Sequence, residues 1–168
     1  MPSVVLVWFT TVAARATASP MDPHAIPDPR HIANGRPIPS LGYADQAYVV
    51  RTDDGAWLCV VTTGSGHEGD RGQTVISMRS TDRGRSWSPA VFLEPTNGPE
   101  ASYAVLLKVP SGRIYCFYNH NTDNIRTVRR EDGGVFRRVD SLGHYVFRFS
   151  DDHGRSWSAQ RYTVPVRE

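Results

Sequence analysis

Nothing in the sequence reads as a helix, because its apolar residues come in short runs divided by Gly, Pro, Asn and Asp. Long hydrophobic runs are missing as well. The apolar stretch Val4 to Phe9 falls far short of the roughly 20 residues that span a bilayer. A net charge of +2 is too small to argue for a nucleic-acid partner. Cysteine is scarce, with two residues, and no His, Cys or acidic cluster has a diagnostic metal-ligand spacing, so neither a metal nor a cofactor is expected. What remains is ordinary. A chain of 168 residues, 39% hydrophobic and 21% charged, is long enough for one domain with a real core and too apolar to be disordered.

The first residues read differently from the rest. Ala16-Thr17-Ala18 before Ser19 resembles the small-residue cleavage site of a secretory signal over residues 1–18, although nothing basic precedes the apolar run. Export to the periplasm or the medium is the matching expectation. Residues 19–42, rich in Pro, read as an extended linker.

From residue 43 onward the organising feature is a repeat. Ser80-Thr81-Asp82-Arg83-Gly84-Arg85-Ser86-Trp87 returns as Ser150-Asp151-Asp152-His153-Gly154-Arg155-Ser156-Trp157, and both copies read S-x-D-x-G-x-x-W. Each lies between two short apolar runs, which makes it the turn of a hairpin. An Asp carboxylate can accept from backbone N–H groups a few residues on, Gly supplies a positive φ, and Trp covers the apolar side. Ser80, Asp82, Gly84, Trp87 and their counterparts Ser150, Asp152, Gly154, Trp157 are therefore expected to be structural.

This motif is similar to the Asp-box of sialidases and related β-propellers. The resemblance implies an all-β fold of four-stranded antiparallel blades, of which this sequence supplies two, residues 43–94 and 95–168, of an expected six or so. In the first, Tyr48 to Val50, Trp57 to Val61 and the two runs flanking the repeat are the strands; in the second they are Tyr103 to Leu107, Ile114 to Tyr118 and the runs around the second copy. A blade cannot bury both faces alone. The chain is accordingly expected to be part of a longer protein, or to obtain its remaining blades from other copies.

Blade order puts the repeat turns at one end and the longer loops at the other, where a site is expected. There, His67-Glu68-Gly69-Asp70 offers an imidazole and two carboxylates. In the family the acid that protonates the leaving oxygen lies on this loop, which implies Asp70 first and Glu68 next. Glu100, between the blades, is a further candidate acid. Asp45 stands where the family places an Arg that clamps the sialic acid carboxylate, and it and the adjacent Gln46 are candidate substrate contacts. An acid in that place points away from sialic acid itself and toward a related acidic or neutral glycan. Asn121 and Asp123, in a run of Asn and Asp, offer donors and acceptors to sugar hydroxyls. Of the basic residues between 126 and 138, Arg126 is the expected ligand for an acidic sugar.

The resemblance thus implies an exo-acting glycoside hydrolase with a glycan substrate, inactive without the rest of the propeller. A non-catalytic glycan- or protein-binding propeller and a polysaccharide lyase are the alternatives. Cys59 and Cys116 fall at one position of the second strand in successive blades, too far apart for a disulfide, and are expected to be free thiols.

Overall fold

The computed structural model describes Asp28 and residues 30–165, so the leader expected at residues 1–18 lies outside the described part. The chain divides into two compact units at Gly35/Arg36. In the first, the described residues form one 3-10 turn, Ile32–Asn34, where a plain extended linker was expected. The His31 ring causes it, accepting from the Ala33 N–H at 3.2 Å.

The second unit carries two four-stranded antiparallel sheets and no α-helix among the described residues. The first sheet runs in chain order through β1 (Tyr43–Arg51), β2 (Trp57–Gly64), β3 (Thr74–Ser80) and β4 (Val91–Phe92). The second contains β5 (Ala101–Lys108) and β6 (Ile114–His120). A small separate hairpin follows, β7 (Val128–Arg129) with β8 (Val135–Phe136), and then β9 (His144–Ser150) pairs with β6 and β10 (Tyr162–Thr163) with β9. The expected strands are present; the first three of each sheet are lengthened by a few residues, and the fourth is cut to two residues, Val91–Phe92 and Tyr162–Thr163. The small hairpin was unforeseen, because its two strands, Val128–Arg129 and Val135–Phe136, are too short to show as apolar runs.

Local chemistry closes the hairpins. At the β1–β2 turn the Gly55 N–H donates to the Thr52 carbonyl (3.0 Å) and the Thr52 N–H to the Ala56 carbonyl (2.9 Å), with Gly55 at φ +84°. Val109, Gly112 and Arg113 repeat the arrangement in the second sheet. In the first repeat turn the Asp82 carboxylate accepts from the Ser86 N–H (2.9 Å), the Ser86 hydroxyl (2.6 Å) and the Ser80 hydroxyl (2.8 Å), while Ser80 Oγ accepts from the Gly84 N–H (2.7 Å). Asp152, Ser150, Ser156 and Gly154 make the same four bonds within 0.1 Å. These bonds, from Ser86 first, hold the Asp82 carboxyl well below its usual range. Not only the glycines are left-handed here, since Arg83 (φ +62°) and His153 (φ +63°) are as well.

The sheets pack face to face, with β5 against β1, β2 and β3. Leu58, Val60, Val75 and Leu93 from the first sheet meet Leu106, Ile114, Cys116, Tyr118 and Val146 from the second. Each fully buried Leu or Val contributes about 1.5–3 kcal/mol. Trp157 closes this core and its indole N–H donates to Ser77 Oγ (2.9 Å), so the second repeat turn helps bind sheet to sheet. The opposite face of the first sheet buries Val61, Ile76 and Met78 under Trp87, Ala90 and Ile38. Cys59 and Cys116 are free and fully buried.

A buried polar knot joins the sheets as well. Glu94, 3% exposed, accepts from the Tyr118 hydroxyl (2.5 Å), from Arg161 Nη1 (2.9 Å to both oxygens) and from Arg148 Nε (3.3 Å), with His120 Nε2 at 3.7 Å. Burial opposes ionisation of Glu94, but Tyr118 and Arg161 outweigh it and the carboxyl titrates below its usual range.

Candidate functional site

The turns between first and second strands and the two repeat turns gather at one end of the unit. There Asp54 Oδ2 accepts from both Arg79 (2.6 Å) and Arg155 (2.7 Å). The opposite end is built from the start of β1, the loop of residues 65–73, the link of residues 93–100, the start of β5 and the long loop of residues 121–143.

Both first strands enter this end through an irregularity. The β1–β2 register shifts between Asp45 and Tyr48, and the β5–β6 register shifts between Ser102 and Val105. Gln46 (φ +49°) and Tyr103 (φ +58°) are left-handed at these two points, and they are separated by the same interval as Gly55 and Gly112. A left-handed non-glycine residue costs free energy, of order 1–3 kcal/mol, and such residues cluster at binding sites. The repeat places one at the mouth of each sheet.

The long loop of the second sheet folds over the loop of the first. The Val139 N–H donates to the Gly69 carbonyl (3.1 Å), and a side chain on Gly69 would collide with Arg138 Cγ, 2.6 Å from its ideal Cβ. Ser102 Oγ (2.7 Å) and Asn119 Nδ2 (2.8 Å) donate to the Asp140 carbonyl and fix the returning strand. Adjacent residues then point to opposite sides, Arg138 toward the first strands and Arg137 into a cleft.

On the Arg138 side lies a closed network. Asp140, 1% exposed, accepts from the Tyr103 hydroxyl (2.5 Å) and from Arg138 Nε (2.7 Å) and Nη2 (2.9 Å). Arg138 Nη2 also donates to Tyr103 Oη (2.6 Å) and to Glu68. Burial opposes ionisation of Asp140, and Arg138 and Tyr103 more than offset it, leaving the carboxyl below its usual range. Burial and then Asp140 push the Tyr103 phenol up. Tyr43 is pushed up to about 12, mainly by burial and then by Asp45 and Glu68. The network therefore brings Glu68 together with three residues that sequence reasoning missed, Tyr103, Arg138 and Asp140, while Asp45 lies beside Tyr43 and outside it. The interval pairing Gln46 with Tyr103 was the available signal for the first; nothing local marks the other two.

On the Arg137 side is a cleft of 340 Å³ lined by Gly69, Asp70, Arg71, Arg126, Thr127 and Arg137. Asp70 accepts from the His67 N–H (2.8 Å), with the exposed His67 ring 3.6 Å away. Glu100 and Asn121 sit differently from a ligand-contacting role. Glu100 is 2% exposed and is occupied by Arg126, by the Gly72 N–H (3.2 Å) and by Asn121 (3.4 Å). Asn121 is fully buried and closes its own loop onto the Ile125 N–H (3.1 Å) and carbonyl (2.8 Å). Both anchor the loop from beneath. Asp123 pairs with His144 at 3.0 Å on the surface, and Gln46 is exposed.

Among solved structures, the chain is similar to a point mutant of the NanB sialidase from Streptococcus pneumoniae, at 12% identity and a TM-score of 0.50 over 73% of this chain and 36% of that one. It has a sialidase-like fold. A Hadza microbial sialidase (18% identity, TM-score 0.49, 70% of this chain and 25% of that one) and a Dyadobacter fermentans protein of unknown function (19%, 0.48, 69% and 35%) are further neighbours. The chain thus spans between a quarter and just over a third of these structures. No protein-family model and no curated protein matches the sequence. In a sialidase-like fold of this kind, the bulged first strands and the loop end they open onto are where the polar network and the cleft lie.

Proposed function

We propose that this chain supplies part of the glycan-facing surface of a sialidase-like, exo-acting glycoside hydrolase, with Asp70 as the acid rather than Glu68 of the same loop. The observation that carries this reading is the contrast among the carboxylates at the loop end. Glu68, Glu100 and Asp140 are each held by a guanidinium, whereas Asp70 pairs with no Arg among the described residues and lines a cleft. A carboxylate engaged by an Arg is not free to meet the glycosidic oxygen. Asp70 would pass its proton to the glycosidic oxygen as the bond from that oxygen to the sugar carbon breaks, and Tyr103 and Arg138, the half-exposed members of the network, would meet the sugar hydroxyls. The second group needed to complete hydrolysis would come from further blades, docked on the exposed face of the second sheet.

A second reading is favoured by the saturation of the same network. A fully hydrogen-bonded surface of Glu68, Tyr103, Arg138 and Asp140 suits recognition without catalysis. A lyase finds less support, because a phenol held protonated at Tyr103 is a poor base. The test is Asp70→Asn in the full-length protein, assayed on natural glycosides and on aryl glycosides with good leaving groups. Loss of roughly 100-fold or more on the first with little change on the second supports Asp70 as the acid. Glycan binding without any turnover in the parent protein supports the second reading.

A further inference from the structure

We propose that His120 is the pin of an acid-sensitive switch: protonation of its ring breaks the buried polar knot around Glu94 and loosens the root of the long loop of residues 121–143, opening the loop end on mild acidification. The device acts on whatever the loop end binds and does not rest on the glycan reading. His120 is the last residue of β6, paired there with His144, and its side chain is 3% exposed. Both ring nitrogens are engaged. Nδ1 lies 2.8 Å from Thr122 Oγ1, and Nε2 faces Glu94 Oε2 at 3.7 Å. Both ends of the long loop rest on the same point. At its start Asn121, fully buried, donates its N–H to the Glu100 carbonyl (2.9 Å) and closes onto Ile125 through its side chain. At its end Gly143 (φ +108°) passes so close that an ideal Cβ would stand 2.1 Å from the His120 carbonyl oxygen and 2.6 Å from Asn121 Cα. Arg137, Arg138 and Asp140 lie between these ends, so a shift of the His120–Asn121 peptide displaces parts of both the network and the cleft.

The charge balance makes the ring a trigger. With a neutral imidazole the knot holds one carboxylate, Glu94, against two guanidiniums, Arg148 and Arg161. Protonation adds a third cation to a carboxylate whose oxygens already take the Tyr118 hydroxyl and both guanidiniums. The second acid that acts on the ring, Glu100, is itself committed to Arg126. Tyr118 brings no charge, since burial and then Glu94 push its phenol up, and His144 is turned away to Asp123 at the surface (3.0 Å). Surplus positive charge so far from water is unfavourable, and burial, with Arg161 and Arg148, outweighs the pull of Glu94 and Glu100 on the ring. Arg148 is anchored further on the Ser158 (2.6 Å) and Ala159 (2.7 Å) carbonyls, and Arg161 holds both Glu94 oxygens at 2.9 Å. His120 stands where its ladder ends, so the ring is the member that leaves, drawing Thr122 and the loop root with it. The ring takes its proton more readily with the loop open. The closed form is therefore fully favoured above the ordinary His value of 6.5 and loses up to about tenfold in its equilibrium one pH unit below.

The experiment follows hydrogen exchange by mass spectrometry in the full-length protein between about pH 7.5 and about pH 5.5, with rates corrected for the intrinsic effect of pH, beside an NMR titration of the histidine rings. Amides of residues 121–143 are expected to exchange up to about tenfold faster at the lower pH, while β2 and β3 stay as protected as before. The midpoint of this loosening should coincide with the titration of the His120 ring. His120→Gln, which cannot take the charge, should show the same loop protection at both pH values. Equal protection of the loop at both pH values in the parent protein overturns the proposal, as does a midpoint apart from that of His120. So does a response confined to β10, which would mean that Arg161 moves instead, or loosening of β2 and β3 in step with the loop, which is global unfolding. Persistence of the pH effect in His120→Gln overturns it as well, and should that variant not fold, the coincidence of midpoints in the parent protein decides.

Discussion

Asp152 shows how much one side chain organises in this molecule. Its carboxylate takes the Ser156 N–H and hydroxyl, the Arg155 N–H and the Ser150 hydroxyl, and of these donors only the Arg155 N–H has a second acceptor in the turn, the Asp152 carbonyl at 3.4 Å. Asp152→Ala should lower stability by about 1–3 kcal/mol, read from the denaturant midpoint, and leave ligand binding at the loop end unchanged. Selective loss of binding or turnover with stability intact would contradict a structural role. Glu94 and His120 set the response to acid. Burial lowers the His120 pKa below 6.5, with Arg161 adding to it, so the unfolded chain takes up this proton first. Its contribution to stability is present above about pH 6.5 and declines below. The depressed Glu94 carboxyl behaves likewise about two pH units lower, its contribution present above the ordinary Glu value near 4.5 and lost as pH falls through the folded value. Stability measured against pH should therefore begin to fall near pH 6.5. Glu94→Gln, which strands Arg148 and Arg161, should cost about 3–5 kcal/mol at pH 7 and flatten the lower part of the profile; an unchanged profile would mean that Glu94 is not ionised in the folded state.

At the scale of the element, the two kinds of turn differ in what surrounds their glycines. Gly55 and Gly154 are both left-handed, at φ +84° and +82°. Around Gly55 a Cβ would meet nothing within 4 Å, whereas at Gly154 it would stand 2.5 Å from both Leu58 methyl groups. Gly55→Ala should cost about 1–2 kcal/mol for the backbone alone. Gly154→Ala should add about 1–3 kcal/mol of overpacking, because Leu58 is fully buried and cannot withdraw. Equal losses in denaturant melts would show that the second repeat turn does not press on the first sheet. The cysteines tell the same story of repeated strands. Cys59 lies on the face that also buries Val61 and Met78 and Cys116 in the core between the sheets, so a whole sheet separates them. Burial pushes the Cys59 thiol up to about 11 and the Cys116 thiol higher still. Thiol titration should find two free groups, both unreactive until the protein is denatured.

At the scale of the whole molecule, one face of the second sheet has no cover among the described residues. Tyr115, Phe117, Phe147, Phe149 and Tyr162 form an aromatic slab on the far side of the second sheet, with ring centroids 5.2–6.3 Å apart. Beside it Leu107 is 50% and Tyr145 64% exposed. By the repeat, Leu107, Tyr115, Phe117 and Tyr145 match Val50, Leu58, Val60 and Val75, with which the first sheet packs against the second. The same surface should therefore take another sheet, and protein carrying only these residues should bind hydrophobic dyes and self-associate. Leu107→Gln with Tyr145→Ser should reduce both in light scattering and dye titration, and no change would argue that the slab is satisfied as it stands.

Strands, turns and the two structural Asp residues were legible because each depends on a few neighbours in the chain: an apolar run, a left-handed glycine, a carboxylate over its own next amides. So was the equivalence of Cys59 and Cys116. The polar network was not legible, since Arg138, Asp140 and Tyr103 become partners only when the long loop returns across the first sheet's loop. The same return separates Glu68 from Asp70, neighbours in sequence that face the network and the cleft respectively, and it turns Glu100 and Asn121 from candidate ligand contacts into buried anchors. Periodicity and turn chemistry are local and can be read along the chain; which charged groups meet is decided by long loops whose course depends on tertiary packing.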